Sequence, residues 1–112
     1  MLKILLKLKD TELKTFEMDK SVVTIGRNDN NDIYINNLGV SKKHARIVKK
    51  QGMYVIEDLN STNGTFLNNE KITKADLTGN DVVTIGKYTL LVFSSDGRNT
   101  TRDIGEATIK VG

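Results

Sequence analysis

The sequence predicts an all-β domain, arranged as a sandwich or a barrel. Hydrophobic and polar residues alternate along several short segments, which is the two-residue period of strands with one buried face. Clusters of glycine, asparagine and aspartate separate these segments and favour turns. The chain of 112 residues is long enough for one domain with its own core and too short for two ordinary domains.

The predicted strands follow in order from the N-terminus. In Leu2–Leu8, leucine and isoleucine at every second position alternate mostly with lysine, and Thr11–Met18 is the predicted hairpin partner. β-Branched segments predict further strands at residues 22–25, 33–35, 45–48, 53–56, 65–67, 82–85 and 88–93. Before residue 94, the best candidate for a helical turn is residues 73–77.

Composition argues against an enzyme, a metal site and a membrane protein. The chain has no cysteine and a single histidine, His44, which excludes disulfides, thiolate metal sites and histidine pairs. Ser41 and His44 are three residues apart, a spacing at which strand side chains tend to point to opposite faces, so we interpret His44 as structural. No glycine-rich nucleotide loop is present, and no apolar run approaches the about 18 residues of a membrane span. We therefore expect a soluble, cytoplasmic, non-catalytic protein with no cofactor and no metal.

Basic residues are concentrated in the first half of the chain. Residues 1–50 contain eleven basic and six acidic residues, whereas residues 51–112 contain six and eight, and the formal net charge is +3. This asymmetry indicates either a basic face for an anionic partner or solvated lysines on edge strands. A nucleic-acid-binding β-barrel fits the charge, but aromatic residues make up only 5% of the chain and form no cluster for stacking bases.

Three predicted loops contain side chains that suit a phosphate monoester. The candidates are Arg27 in the first loop, Ser41 and Lys42 in the second, and Thr62 and Asn63 in the third. A guanidinium, hydroxyl donors and loop N–H groups all bind phosphate. Each candidate also has an ordinary structural explanation, as a surface arginine, a turn cap or an Asn-Gly hairpin turn. These residues alone do not bring the three loops together.

Six short motifs, taken in order, resemble the forkhead-associated (FHA) domain family. They are Gly26-Arg27, Asn31-Asp32-Ile33, residues 40–45, residues 58–65, residues 77–81 and Ile85-Gly86. The resemblance covers residues 1–93 and implies a two-sheet antiparallel β-sandwich of about eleven strands, with the functional loops at one end. The composition becomes polar after Phe93, so residues 94–112 are expected to form a linker or tail, and one interpretation is that it leads to another module.

The resemblance also implies a role for each candidate residue. Arg27 is expected to form charge-assisted bonds to the phosphate of a phosphothreonine, to which Ser41 adds its hydroxyl and Thr62 its hydroxyl and N–H. Asn63 is expected to hold the peptide backbone beside the phosphothreonine. Lys42 departs from the family, which often has arginine there, and it supplies a point charge without a planar fork.

Three further residues are implied to support the site. Gly26 is expected to allow a close turn, and His44 to brace the loop that bears Ser41. Gly64 is expected to take the positive φ of the turn after Asn63.

The function implied by the resemblance is non-catalytic recognition of phosphothreonine peptides, which mediates phosphorylation-dependent protein–protein interaction in signalling. Thr100 and Thr101 lie in the stretch that we interpret as a plain linker; the alternative hypothesis is that the domain binds its own tail, in cis or between two chains, if either threonine is phosphorylated. Nucleic acid and membrane are not expected as partners. The remaining alternatives are a basic β-domain that binds nucleic acid and a structural adaptor for a non-phosphorylated partner.

Overall fold

The computed structural model describes residues 1–94, which form eleven strands. The predicted tail beyond Ser94, with Thr100 and Thr101, lies outside the described residues. The strands are β1 Leu2–Leu8, β2 Thr11–Met18, β3 Val22–Gly26, β4 Ile33–Tyr34, β5 Ala45–Lys50, β6 Met53–Asp58, β7 Thr65–Leu67, β8 Glu70–Ile72, β9 Lys74–Asp76, β10 Asn80–Ile85 and β11 Tyr88–Ser94.

The strands form two sheets, as the resemblance implied. The first sheet has the order β2-β1-β11-β10-β7-β8 and the second the order β4-β3-β5-β6-β9. All the pairs whose register is described are antiparallel except β3 with β4, where Ile25 lies opposite Ile33 in a parallel pair. The two-sheet sandwich is therefore confirmed, with one sheet mixed rather than wholly antiparallel.

The core lies between the sheets and is built from alternate strand residues. In β1 the alternate residues Leu2, Ile4 and Leu6 are buried, with Leu2 and Ile4 at 0% exposure. Ile25, Ile47 and Ile56 contribute from the second sheet and belong to the same hydrophobic cluster. This is the packing that the two-residue period of the sequence predicted.

The segment at residues 73–77 is not a helical turn, and that prediction is wrong. It contains β9, which pairs with β6 so that Lys74 lies opposite Glu57 and Asp76 opposite Val55. This pairing supplies the backbone hydrogen bonds that a helical turn would otherwise make. Pairing with a strand remote in sequence therefore outweighs the local pattern here.

The register of three neighbouring strands carries three loops to one end of the sandwich. Ala45 lies opposite Ile25 of β3 on one side and opposite Asp58 of β6 on the other. The end of β3, the start of β5 and the end of β6 are therefore adjacent. The loops at residues 27–32, 35–44 and 59–64 consequently meet at this end.

Candidate functional site

A cleft lies where these three loops meet. It has a volume of about 300 Å³ and is lined by Arg27, residues 38–42, Thr62 and Asn63. The structure thus brings all five candidate binding residues, which are separate in the sequence, to one place. Of the described residues that line the cleft, Arg27 and Lys42 are basic and none is acidic.

Arg27 is held at the cleft through both its backbone and its head group. Its backbone N–H donates to Ser41 O at 3.0 Å, and its Nε donates to Val40 O at 3.0 Å. The bond from Nε uses one of the five guanidinium N–H donors, so four remain for an anion. The Arg27 side chain is therefore held in position and still able to bind an anion.

Ser41 and Thr62 join two of the loops directly. The Thr62 N–H donates to Ser41 Oγ at 3.0 Å, so this N–H is engaged within the protein rather than presented to a ligand. The hydroxyls of both residues still carry a hydrogen to donate. The structure therefore differs from the expectation at one atom, because the Thr62 hydroxyl rather than its N–H is available to an anion.

Asn63 connects the same two loops through a second hydrogen bond. Its Nδ2 donates to Gly39 O at 2.9 Å, which fixes the orientation of the side-chain amide. The Oδ1 atom is an acceptor, the group that a peptide N–H requires.

His44 lies beneath the cleft and is fully buried. Its Nδ1 accepts the Ser41 N–H at 3.0 Å, and its Nε2 lies 2.8 Å from Gly64 O. Because a carbonyl oxygen only accepts, Nε2 is the nitrogen that donates to Gly64 O, while Nδ1 is the acceptor. The histidine thus ties the loop bearing Ser41 to the turn at Gly64, whose φ is +90°.

Gly26 sits where the backbones of the first two loops approach each other closely. A Cβ at this position would lie 2.2 Å from Lys42 O and 2.9 Å from Lys42 C. No side chain fits at that separation, so only glycine allows the loop backbones to come this close.

The sequence model of the FHA domain family matches residues 23–86 of this chain. The chain belongs to the FHA domain family. The matched region contains every candidate binding and supporting residue, and it confirms the resemblance of the six motifs.

A regulatory protein is among the relatives of this FHA domain. The glycogen accumulation regulator GarA of Mycolicibacterium smegmatis is 34% identical over 79 residues, which are 70% of this chain and 50% of GarA. This chain therefore spans about half the length of that relative.

Two solved structures share the fold closely. The structure of Mycobacterium tuberculosis EmbR in complex with a low-affinity phosphopeptide aligns with a TM-score of 0.76 and 27% identity over 88% of this chain and 25% of EmbR. An FHA domain solved in a study of phosphothreonine-dependent FHA domain interactions aligns with a TM-score of 0.73 and 29% identity over 84% of this chain and 98% of that one.

Asp58 organises the third loop of the FHA domain, and our sequence analysis assigned it no role. Its carboxylate accepts hydrogen bonds from the Ser61 N–H at 3.1 Å, from the Ser61 hydroxyl, and from Thr65 Oγ1 at 2.6 Å. Ser61 Oγ in turn accepts the Gly64 N–H at 3.0 Å. The signal in the sequence is an aspartate three residues before a serine, a spacing at which side chains bond the local backbone.

Asn31 is a second residue whose role the sequence analysis did not assign. It is 8% exposed, and its Nδ2 donates to Asn28 O at 2.8 Å and to Lys42 O at 2.9 Å. The amide therefore closes its own loop and holds it against the loop that bears Ser41. The sequence shows this asparagine within one of the six motifs, but only the fold reveals its partners.

The described part of the chain contains neither a candidate metal site nor a candidate membrane-spanning helix. Within residues 1–94, no group of three or more histidine, cysteine, aspartate or glutamate side chains is placed to hold a metal ion. In the same residues, no helix has the length and hydropathy that a bilayer crossing requires.

The hydrogen bonds to Asp58 predict a pH-dependent contribution to stability. Burial raises the pKa of Asp58, but the bonds donated by Ser61 and Thr65 outweigh it, so the pKa lies below its usual value. A lowered carboxyl pKa stabilises the fold above the unfolded-state value of about 3.9, and the stabilisation is lost as pH falls through the folded-state value. Asp58→Asn is therefore expected to lower the melting temperature at pH 7, with the deficit shrinking below about pH 4.

Thermal unfolding at pH 7, 5, 4 and 3 measures this difference. Asp76→Asn, which changes an exposed carboxylate of β9, is the matched control and is expected to have little effect at pH 7. A deficit for Asp58→Asn that stays constant across this range would contradict the prediction.

Proposed function

We propose that this FHA domain is a non-catalytic module that binds phosphothreonine-containing segments of a partner protein in the cleft. Phosphorylation of the partner then controls the interaction. The observation that supports this most strongly is the convergence of Arg27, Ser41 and Thr62, from three loops, on one cleft with basic and no acidic side chains among its described lining residues.

The chemistry of the cleft suits a phosphate dianion on a peptide. A phosphothreonine carries about −1.5 to −2 charges and three acceptor oxygens at neutral pH. Arg27 offers its remaining guanidinium donors, Lys42 an ammonium group, and Ser41 a hydroxyl. Hydrogen bonds to charged groups contribute about 1.5–3 kcal/mol each, and several of them, less the ordering of a flexible peptide, correspond to micromolar affinity.

The amide of Asn63 supports a peptide rather than a free phosphate as the ligand. Because Nδ2 donates to Gly39 O, the amide is fixed with Oδ1 as the acceptor for a backbone N–H. A phosphate ion has no such N–H. The ligand of this site therefore includes peptide backbone beside the phosphothreonine.

The solved relatives support the same class of ligand. EmbR has been solved with a phosphopeptide, and another similar FHA domain belongs to a study of phosphothreonine-dependent interactions. Identities of 27% and 29% accompany TM-scores of 0.76 and 0.73. This chain thus shares its overall fold with these domains.

An enzymatic role is not favoured by the one histidine. His44 is fully buried and both ring nitrogens are engaged by Ser41 and Gly64, so it has no nitrogen with which to move a proton from a substrate.

We propose the cytoplasm as the location, since a chain without cysteine needs no oxidising compartment.

Calorimetric titration of the 112-residue chain tests the proposal. A peptide with phosphothreonine is expected to bind with micromolar affinity, and the same peptide with plain threonine is expected not to bind. Binding is expected to weaken with added salt and below about pH 6, where the phosphate takes up its second proton. Equal binding of both peptides would contradict the proposal, and tighter binding of single-stranded DNA would favour the nucleic-acid alternative.

A further inference from the structure

Leu38 stands out among the hydrophobic residues of the described chain. It is 90% exposed. The other large hydrophobic residues that are exposed within residues 1–94 have exposed fractions of only 39–48%. Single exposed apolar residues are common on protein surfaces. Leu38, however, also lines the cleft that contains Arg27 and Ser41.

Four hydrogen bonds hold the turn that carries Leu38 in place. The Val40 N–H donates to Asn37 O at 3.0 Å, which closes a four-residue turn with Leu38 at its second position. The Gly39 N–H donates to Asn37 Oδ1 at 2.8 Å. The carbonyls of Gly39 and Val40 accept from Asn63 Nδ2 and Arg27 Nε.

These bonds present the leucine to solvent on a rigid support. The second position of such a turn commonly holds proline or a polar residue, so local turn preferences give no reason for leucine there. Core packing gives no reason for leucine either, because the Leu38 side chain lies almost wholly outside the core. A preorganised apolar side chain beside a binding cleft loses little entropy when a ligand covers it.

We propose that Leu38 selects the ligands of this cleft, so that the preferred peptides carry an apolar side chain close to the phosphothreonine. The inference rests on the proposed function, because it concerns peptides whose phosphate is bound at Arg27. The phosphate then provides most of the affinity, and contact of the apolar side chain with Leu38 distinguishes one phosphopeptide from another.

A set of phosphothreonine peptides tests the inference on the full 112-residue chain. The background is alanine, and one leucine is placed in turn at each of the three positions before and the four positions after the phosphothreonine. At one or more positions, leucine is expected to strengthen binding to the wild type by about three- to tenfold, as burial of part of two apolar side chains gives. Leu38→Ala is expected to abolish that gain, so that this variant binds the leucine-containing peptide and the all-alanine peptide with equal affinity.

Leu13→Ala is the matched control. Leu13 is 48% exposed on β2 and does not line the cleft, so this variant is expected to retain the full gain. The melting temperature of Leu38→Ala is expected to match the wild type because Leu38 is almost fully exposed, and that of Leu13→Ala is expected to fall only slightly because Leu13 is about half buried.

The results separate this inference from the proposed function. Binding of phosphothreonine peptides without a leucine preference, or with a preference that Leu38→Ala retains, overturns the inference alone. Absence of binding for every peptide in the wild type overturns the proposed function, and the inference with it. If Leu38→Ala loses the gain in affinity from leucine and Leu13→Ala keeps it, the inference about Leu38 is supported.

Discussion

Arg27→Ala is expected to weaken the binding of a phosphothreonine peptide at least tenfold, which corresponds to about 1.4 kcal/mol. The guanidinium lines the cleft with its Nε bonded to Val40 O, and its remaining N–H groups form the strongest class of bond that the cleft offers to a phosphate. Because each bond to a charged group contributes about 1.5–3 kcal/mol, loss of two of them lowers the affinity by more than this minimum.

Calorimetry with the same phosphopeptide measures the loss, and two further variants define its cause. Arg27→Lys keeps the charge but loses the planar fork and the bond to Val40, so we expect an affinity between those of the wild type and Arg27→Ala. Arg46→Ala removes an exposed arginine of β5 that pairs with Glu57 at 2.7 Å and does not line the cleft, so we expect near wild-type affinity. Unchanged affinity for Arg27→Ala would mean that the phosphate binds elsewhere.

The fold could be predicted from the sequence where the pattern is local. The hairpin of β1 and β2 follows from alternation, and the observed register pairs Leu2 with Met18 and Leu8 with Thr11. The parallel pairing of β3 with β4 rests on two residue pairs, too few to leave a periodic signal. β9 consists of three residues whose partner is provided by β6, so its local sequence carries little information about its conformation.

The site could be predicted as a set of residue types, but not as a geometry. Arginine, serine and threonine in loops indicate affinity for phosphate, and only the register of β3, β5 and β6 makes them neighbours. The engagement of the Thr62 N–H by Ser41 is a matter of a few ångströms that no residue pattern encodes. The same holds for Asn31, whose partner on the second loop is a backbone carbonyl rather than a side chain.

Gly26→Ala is expected to damage both the stability of the domain and its binding. The added methyl group would lie 2.2 Å from Lys42 O and 2.8 Å from Asn31 Nδ2, and the first of these contacts is with backbone, which cannot rotate away. Relief of the overlap must separate the loops, which disturbs the bonds from Arg27 N to Ser41 O and from Asn31 Nδ2 to Lys42 O. Overpacking of this kind costs about 1–3 kcal/mol or more, so we expect the melting temperature to fall by at least about 5 °C.

The same displacement moves Ser41 away from Arg27, so affinity is expected to fall more than stability alone explains. Ile25→Val is the matched control, because it destabilises the neighbouring core position by about 0.5–1.5 kcal/mol without adding an atom between the loops. Calorimetry at a temperature where both variants are folded is expected to show wild-type affinity for Ile25→Val and at least a tenfold loss for Gly26→Ala. Equal affinities would show that the close approach of the two backbones serves the fold alone, since binding then tolerates a change in the spacing between Arg27 and Ser41.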